Sequence, residues 1–192
     1  MKNWGFITIT ENQRLGLIGG YLVLNHLGRP LEFHCTTPVR ANRAQEILYG
    51  TTLDAFLYGE QIAQTLIRRA KVKPFAIVTD RPKVLTVQEF VEMPICYIHS
   101  VATEIVQELA VYVSEKNDFS IEKQYGVDSV LSVSRFRWSD CMFGRYKLVI
   151  PELVTRATAE TMDELKNVSS TIDFLEPFER IRLAIDEAQK AA

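Results

Sequence analysis

The sequence predicts a mixed α/β domain, and three observations carry the prediction. Alternating β-branched and aromatic runs open the chain, an apolar stripe at helical spacing follows over residues 53–70, and a continuous apolar run comes directly after it at residues 75–79. Strands, then a helix, then a buried strand is an order that builds a parallel or mixed sheet covered by helices.

Residues 4–10 read W-G-F-I-T-I-T and predict a strand. The glycine-rich stretch G-L-I-G-G at residues 16–20 lies between strand-like runs and opens no helix, so it predicts a turn or bulge and not a phosphate loop. Residues 21–24 and 31–37 flank the loop N-H-L-G-R-P and predict an antiparallel hairpin. In its second arm Leu31, Phe33 and Cys35 share one face, and Glu32, His34 and Thr36 the other.

Asn42 is placed to cap a short helix that runs through Tyr49 and stops at Gly50. Thr51 and Asp54 read as the start of a second helix, whose stripe is Leu53, Phe56, Leu57, Ala63, Leu66, Ile67 and Ala70. Arg68, Arg69 and Lys71 sit where cations favour a helix C-terminus, and Pro74 ends it. Residues 75–80 are the best buried-strand candidate, ending at Asp80.

Residues 84–93 fit a short helix or a strand, and residues 95–98 a strand. Helical spacing follows over 100–113. Residues 127–138 and 146–150 predict a second antiparallel hairpin, and residues 158–168 a helix. Asp173 is placed to cap a last helix with the stripe Phe174, Phe178, Ile181, Ile185 and Ala188. The expected organisation is one mixed domain over residues 1–192, with residues 151–192 a helical C-terminal extension packed on it.

Composition excludes several classes. With 192 residues, 47% of them apolar and only 9 Gly and 7 Pro, the chain is neither collagenous nor mainly disordered. A formal net charge of −2 excludes a globally basic nucleic-acid binder but not a local basic patch. Residues 1–75 hold nine Lys+Arg and five Asp+Glu against 13 and 19 in the remainder, so the front half is basic and the back half acidic. Cys35, Cys96 and Cys141 form no C-x-x-C pair, and no apolar run reaches the length of a signal-peptide core or a membrane span. The expectation is a cytoplasmic protein with no membrane association, no metal and no cofactor.

No phosphate-loop, dinucleotide, zinc-protease or nucleophile-elbow motif is present. His34 and Cys35 are adjacent on a strand, point to opposite faces and form no dyad. Glu32 and His34 share a face and could hold a metal or simply hydrogen-bond each other, the second being far commoner.

An antiparallel three-stranded meander, a helix, then a strand ending in an acid resembles the opening of ribonuclease H-like folds in its element order. That resemblance implies carboxylates on the first strand, on the helix and after the fourth strand, converging on two divalent cations. Asp80 takes the fourth-strand position, and Asp54 or Glu60 could serve on the helix. The first strand offers no carboxylate before Glu11 at its end. A lone carboxylate pair binds Mg²⁺ weakly, so the expectation is a degenerate, non-catalytic scaffold.

A second constellation is Arg135, Arg137 and Trp138 with Arg145 and Lys147 close behind. If the segments pair as strands, Arg135 and Arg137 share a face, and so do Arg145 and Lys147. Guanidinium and ammonium groups beside aromatic rings suit a phosphate-bearing ligand, whereas the plainer reading is a solvated edge with its arginines paired to acids.

Three function classes follow. The leading one is a non-enzymatic interaction or assembly subunit that binds another protein, or a second copy, with Tyr49, Phe56, Tyr58 and Trp138 as candidate anchors. The alternatives are a nucleic-acid binder using residues 135–147, with Arg40, Arg43, Arg68 and Arg69, and an enzyme with a site near Asp80. In that last reading Arg81 neutralises an anionic substrate or pairs with Asp80.

Overall fold

The computed structural model describes residues 2–100, 136–143, 145–152, 160–161, 163–165 and 173–190. Among the described residues, seven strands form one sheet: β1 (Trp4–Asn12), β2 (Gly16–Leu24), β3 (Pro30–Cys35), β4 (Ala76–Thr79), β5 (Ile95–Ser100), β6 (Trp138–Phe143) and β7 (Tyr146–Pro151). Their order across the sheet is β3-β2-β1-β4-β5-β7-β6. β1, β2 and β3 form an antiparallel meander, while β4 runs parallel to both β1 and β5. β7 returns antiparallel to β5, and β6 closes the far edge against β7. The fold is therefore mixed α/β with the element order expected from the sequence, including meander, helix and parallel fourth strand.

Alternation along the strands divides the core between two faces. On one face Trp4, Phe6, Leu22, Leu24, Val78 and Ile98 pack under Phe178, Ile181 and Ile185 of the C-terminal helix. On the other, Ile7, Ile9, Tyr21, Val23 and Ile77 pack under Ile62, Ala63 and Leu66, and under Val84, Leu85 and Val87. With both faces covered, β4 is buried at every residue, which is why it reads as an unbroken apolar run.

Helix α1 (Arg43–Tyr49) begins as the sequence predicts. Asn42 accepts from the Gln45 backbone N–H at 2.9 Å, and the Gln45 side chain accepts from the Asn42 N–H at 3.0 Å. Gly50, at φ 49°, ends it. The second helix differs from expectation. A short 3₁₀ turn (Gly50–Thr52) leads into a π-helix (Ala55–Gln64) that passes into α2 (Thr65–Arg69), and Asp54 makes no cap hydrogen bond. Thr52, not Thr51, is engaged there, its hydroxyl donating to the Tyr49 carbonyl at 2.8 Å. The open assignment at residues 84–93 resolves as a 3₁₀ helix (Pro82–Phe90).

The run 16–20 is neither turn nor bulge but the first half of β2. Its glycines admit helices on both sides. A Cβ on Gly19 would lie 2.1 Å from Ile62 Cγ2, and one on Gly20 would lie 2.2 Å from Ile181 Cγ2. Consecutive residues face opposite ways, so the pair lets the π-helix close on one face and the C-terminal helix on the other.

That last helix, α3 (Glu176–Lys190), packs across β1 and β2. Its buried stripe ends at Ile185, and Ala188 is exposed, contrary to expectation. The second hairpin is displaced from its predicted place: Trp138 starts β6 and does not end a strand. Of the predicted helix over 100–113, Ser100 ends β5 and the rest lies outside the described residues, as do residues 127–135 of the predicted strand 127–138. Of the predicted helix 158–168, residues 160–161 and 163–165 are described and helical.

Candidate functional site

Asp80 lies one residue beyond β4. The last registered pair between β1 and β4 is Ile7 with Thr79, so the next residues along the two parallel strands are Thr8, midway along β1, and Asp80, just past the carboxyl end of β4. The first-strand position that a ribonuclease H-like metal site needs as a carboxylate is thus a threonine. Thr8 is fully buried, and its hydroxyl has no hydrogen-bond partner among the described residues.

Asp80 is neutralised by Arg182 of α3, one carboxylate oxygen taking the guanidinium and the other being buried without a partner. The side chains are 15% and 36% exposed. A fixed guanidinium here occupies the charge role that a divalent cation would fill. Arg81, expected as an alternative partner of Asp80, does not pair with it.

The other two carboxylates do not converge on Asp80. The π-helix packs on the face opposite α3, so the sheet stands between Asp80 and Glu60, which is half-buried. Asp54 is bound to Lys83 at 2.9 Å. Glu11, at the end of β1, accepts a hydrogen bond of 2.6 Å from the Tyr58 hydroxyl, whose pKa is pushed up by burial and then by that bond. Lys83 Nζ lies 5.0 Å from the centre of the Tyr58 ring. Among the described residues, no group of three or more His, Cys, Asp or Glu side chains is arranged to hold a metal ion.

The basic constellation is only partly assembled. Arg135 lies outside the described residues. Arg137 is exposed just before β6, and Trp138 is half-buried against the core, its ring edge-to-face with Phe136 at 6.5 Å. Arg145 does not present a free cation: it bonds Asp173 at 2.7 Å and the Tyr146 hydroxyl at 2.8 Å. Asp173 also accepts from Tyr146 at 2.7 Å and from the Leu175 N–H at 3.0 Å. Burial raises the Asp173 pKa, but these hydrogen bonds and the Arg145 charge outweigh it, and the net shift is downward. The Arg145 head group is drawn to Tyr146, whereas Lys147 points from the other face of β7, in register with Met142 and His99. Arg145 and Lys147 therefore do not work from one face.

Glu32 and His34 do share a face, at 2.6 Å. The carboxylate also accepts from the backbone N–H groups of Lys71 and Val72, so it ties the exit of α2 to β3. Those two backbone bonds, then His34, lower the Glu32 pKa to about 2. A depressed carboxyl pKa stabilises the folded state above the unfolded value, about 4.3, and loses that contribution as pH falls towards 2. Glu32→Gln should therefore melt lower than the parent at pH 7, and the gap should close as the pH is lowered to about 2. Thermal denaturation across that range measures it, and a gap independent of pH would contradict the assignment.

The aromatic anchors expected for an interface are mostly core. Phe56 and Tyr58 are buried, and Tyr49 is half-buried, stacked on Phe56 with centroids 4.0 Å apart. What the sequence reading passed over is the rest of α1. No residue of this helix is buried, and Ile47 and Leu48 are 67% and 82% exposed. The signal was present in the sequence as an adjacent apolar pair on a seven-residue helix. Arg182 carried a weaker signal, a cation between Ile181 and Ile185 in the buried stripe.

No protein-family model matches the sequence, and no curated protein is similar to it. Among solved structures, the chain is similar to endonuclease V of Ciona intestinalis in complex with a 23mer DNA containing an inosine followed by a ribo-adenosine. The identity is 8% and the TM-score 0.34, over 83% of this chain and 75% of that one. A complex of the same endonuclease with a 24mer DNA gives 7% identity and a TM-score of 0.32, over 83% and 76%. No helix among the described residues is long and apolar enough to cross a membrane.

Proposed function

We propose that the chain is a non-enzymatic interaction subunit, a degenerate ribonuclease H-like scaffold that binds another protein through α1. The observation that carries this reading is the exposure of Ile47 and Leu48 on a helix with no buried residue. Short helices draw most of their stability from packing an apolar face, and among the described residues α1 packs only Tyr49 against the core, leaving Ile47 and Leu48 exposed. Its caps and the Tyr49–Phe56 stack hold it in place, so its apolar residues are presented on a fixed base. The non-catalytic part of this reading is supported by Thr8 and by the Asp80–Arg182 pair, with no set of carboxylates arranged to hold a cation among the described residues.

The test is Leu48→Glu in tagged protein purified from its own host, with nuclease-treated and untreated halves. Truncating no core contact, the substitution should change stability by less than about 0.5 kcal/mol. It should also abolish recovery of a stoichiometric protein partner that survives nuclease in the parent. Partners that vanish with nuclease, or that Leu48→Glu retains, would contradict the reading.

A further inference from the structure

The edge of the sheet at β3 is a second place of interest, independent of α1. β3 is the outermost strand on its side of the described sheet and pairs with β2 alone. Just beyond it, Thr36 continues the register and donates its N–H to the Gly19 carbonyl at 2.9 Å. Backbone groups of an antiparallel strand point alternately to one side and the other, so Glu32, His34 and Thr36 face β2 while Phe33 and Cys35 face away. No backbone hydrogen bond among the described residues satisfies those outward groups.

Sheet edges are ordinarily guarded by lysines, prolines or bulges. β3 carries its proline, Pro30, and its one slip of register at the end nearest the hairpin loop, and residues 32–35 run regularly. The apolar side chains here are uncovered as well. Phe33 is in register with Leu22, which places it on the α3 face. α3 packs across β1 and β2, however, and leaves Phe33 38% exposed, with Leu31 beside it 46% exposed. On the opposite face Glu32 and His34 are half-buried, 2.6 Å apart.

The strand is complementary to itself. Set antiparallel to a second β3 about a two-fold axis at Phe33, it places Phe33 opposite Phe33, a pair that exchanges both outward N–H and C=O groups. Leu31 then falls opposite Cys35, apolar against apolar. Glu32 falls opposite His34 on both sides of the axis, acid against base, at the non-hydrogen-bonded positions where side chains approach most closely. An axis one residue away, at Glu32 or at His34, sets like against like. An unrelated extended segment has no reason to match this order, whereas a second copy matches it by symmetry.

We propose that two copies of the chain pair antiparallel through β3 about an axis at Phe33, joining their sheets into one across the dimer. The ladder supplies the backbone bonds that Phe33 and Cys35 lack in the single chain, and the two Phe33 rings cover one another on the α3 face. A ladder this short makes the dimer reversible.

The test is sedimentation of the full chain over a range of concentrations, together with amide exchange followed by NMR. The chain should pass from monomer to dimer as concentration rises and go no further, because an isologous pair consumes both β3 edges. The Phe33 N–H should exchange quickly in dilute protein and at least tenfold more slowly where the dimer predominates. The His34 N–H, which faces β2, should be protected at both concentrations. Phe33→Lys should weaken dimerisation at least tenfold, and the exchange of the parent chain decides the matter if that variant fails to fold. Leu48→Glu should dimerise as the parent does, so the failure of this proposal and that of the α1 reading are told apart. A chain that stays monomeric at millimolar concentration, a Phe33 N–H whose exchange ignores concentration, or a dimer that folded Phe33→Lys keeps or that Leu48→Glu dissolves would each overturn the proposal.

Discussion

Phe178→Ala is expected to lower the stability of the fold by about 3–5 kcal/mol, as large aromatic truncations in closed cores do. Phe178 is 1% exposed and sits edge-to-face on Phe6 at 5.8 Å, within a run of rings that continues through Phe174 to Trp4. These rings fasten α3 to β1 and β2. Removing one leaves a cavity under the first turns of the helix, which the backbone cannot close while Ile181 and Ile185 rest against Gly20. Urea denaturation should show a lower midpoint with an unchanged slope. A loss below about 1 kcal/mol would mean that α3 is not part of the cooperative core.

Arg182→Met follows from the same helix and is expected to cost about 2–3 kcal/mol. The substitution keeps most of the side-chain stem but leaves Asp80, already short of one partner, without the one ion-pair partner it has among the described residues. The pair is partly open to water through Arg182, so the effect falls short of that for a sealed ion pair. Replacing both residues, Asp80→Asn with Arg182→Met, should cost clearly less than the two single changes added together, because neither charge is then stranded. Additivity within about 0.3 kcal/mol would show that the two groups do not interact in solution.

Much of the scaffold was legible in the sequence because local and tertiary demands agree there. The alternation of β1, the hairpin of β2 and β3 and the apolar run of β4 each record burial directly, and Asn42 with Gln45 records the start of α1. Disagreement arose where the cause lies across the fold. Gly19 and Gly20 look like chain breakers locally, yet they are small because Ile62 and Ile181 approach from either side. Arg182 meets Asp80 from 102 residues away, which no spacing rule reveals. Helical periodicity extended the last stripe to Ala188, although only the portion through Ile185 is buried.

The candidate sites divide in the same way. The missing first-strand carboxylate was readable, because it depends only on residue type along β1. That Asp54 would bind Lys83, and Arg145 turn to Tyr146 and Asp173, depends on neighbours brought in by the fold. Residues with several acids within reach in sequence give no means of choosing among them. The apolar pair Ile47 and Leu48 was legible as residue types on α1 but its exposure was not, since an apolar pair on a helix reads as core until the fold shows both side chains open to solvent.

The most direct measurement of the central claim is site-specific photo-crosslinking from position 48. A photoreactive side chain replaces Leu48 in the full chain expressed in its own host, and a matching probe at Leu183, exposed on α3, serves as the control. An interaction subunit that docks through α1 predicts a single protein adduct from position 48, unchanged by nuclease treatment and absent from position 183. No protein adduct from position 48, or one formed equally from position 183, would contradict it.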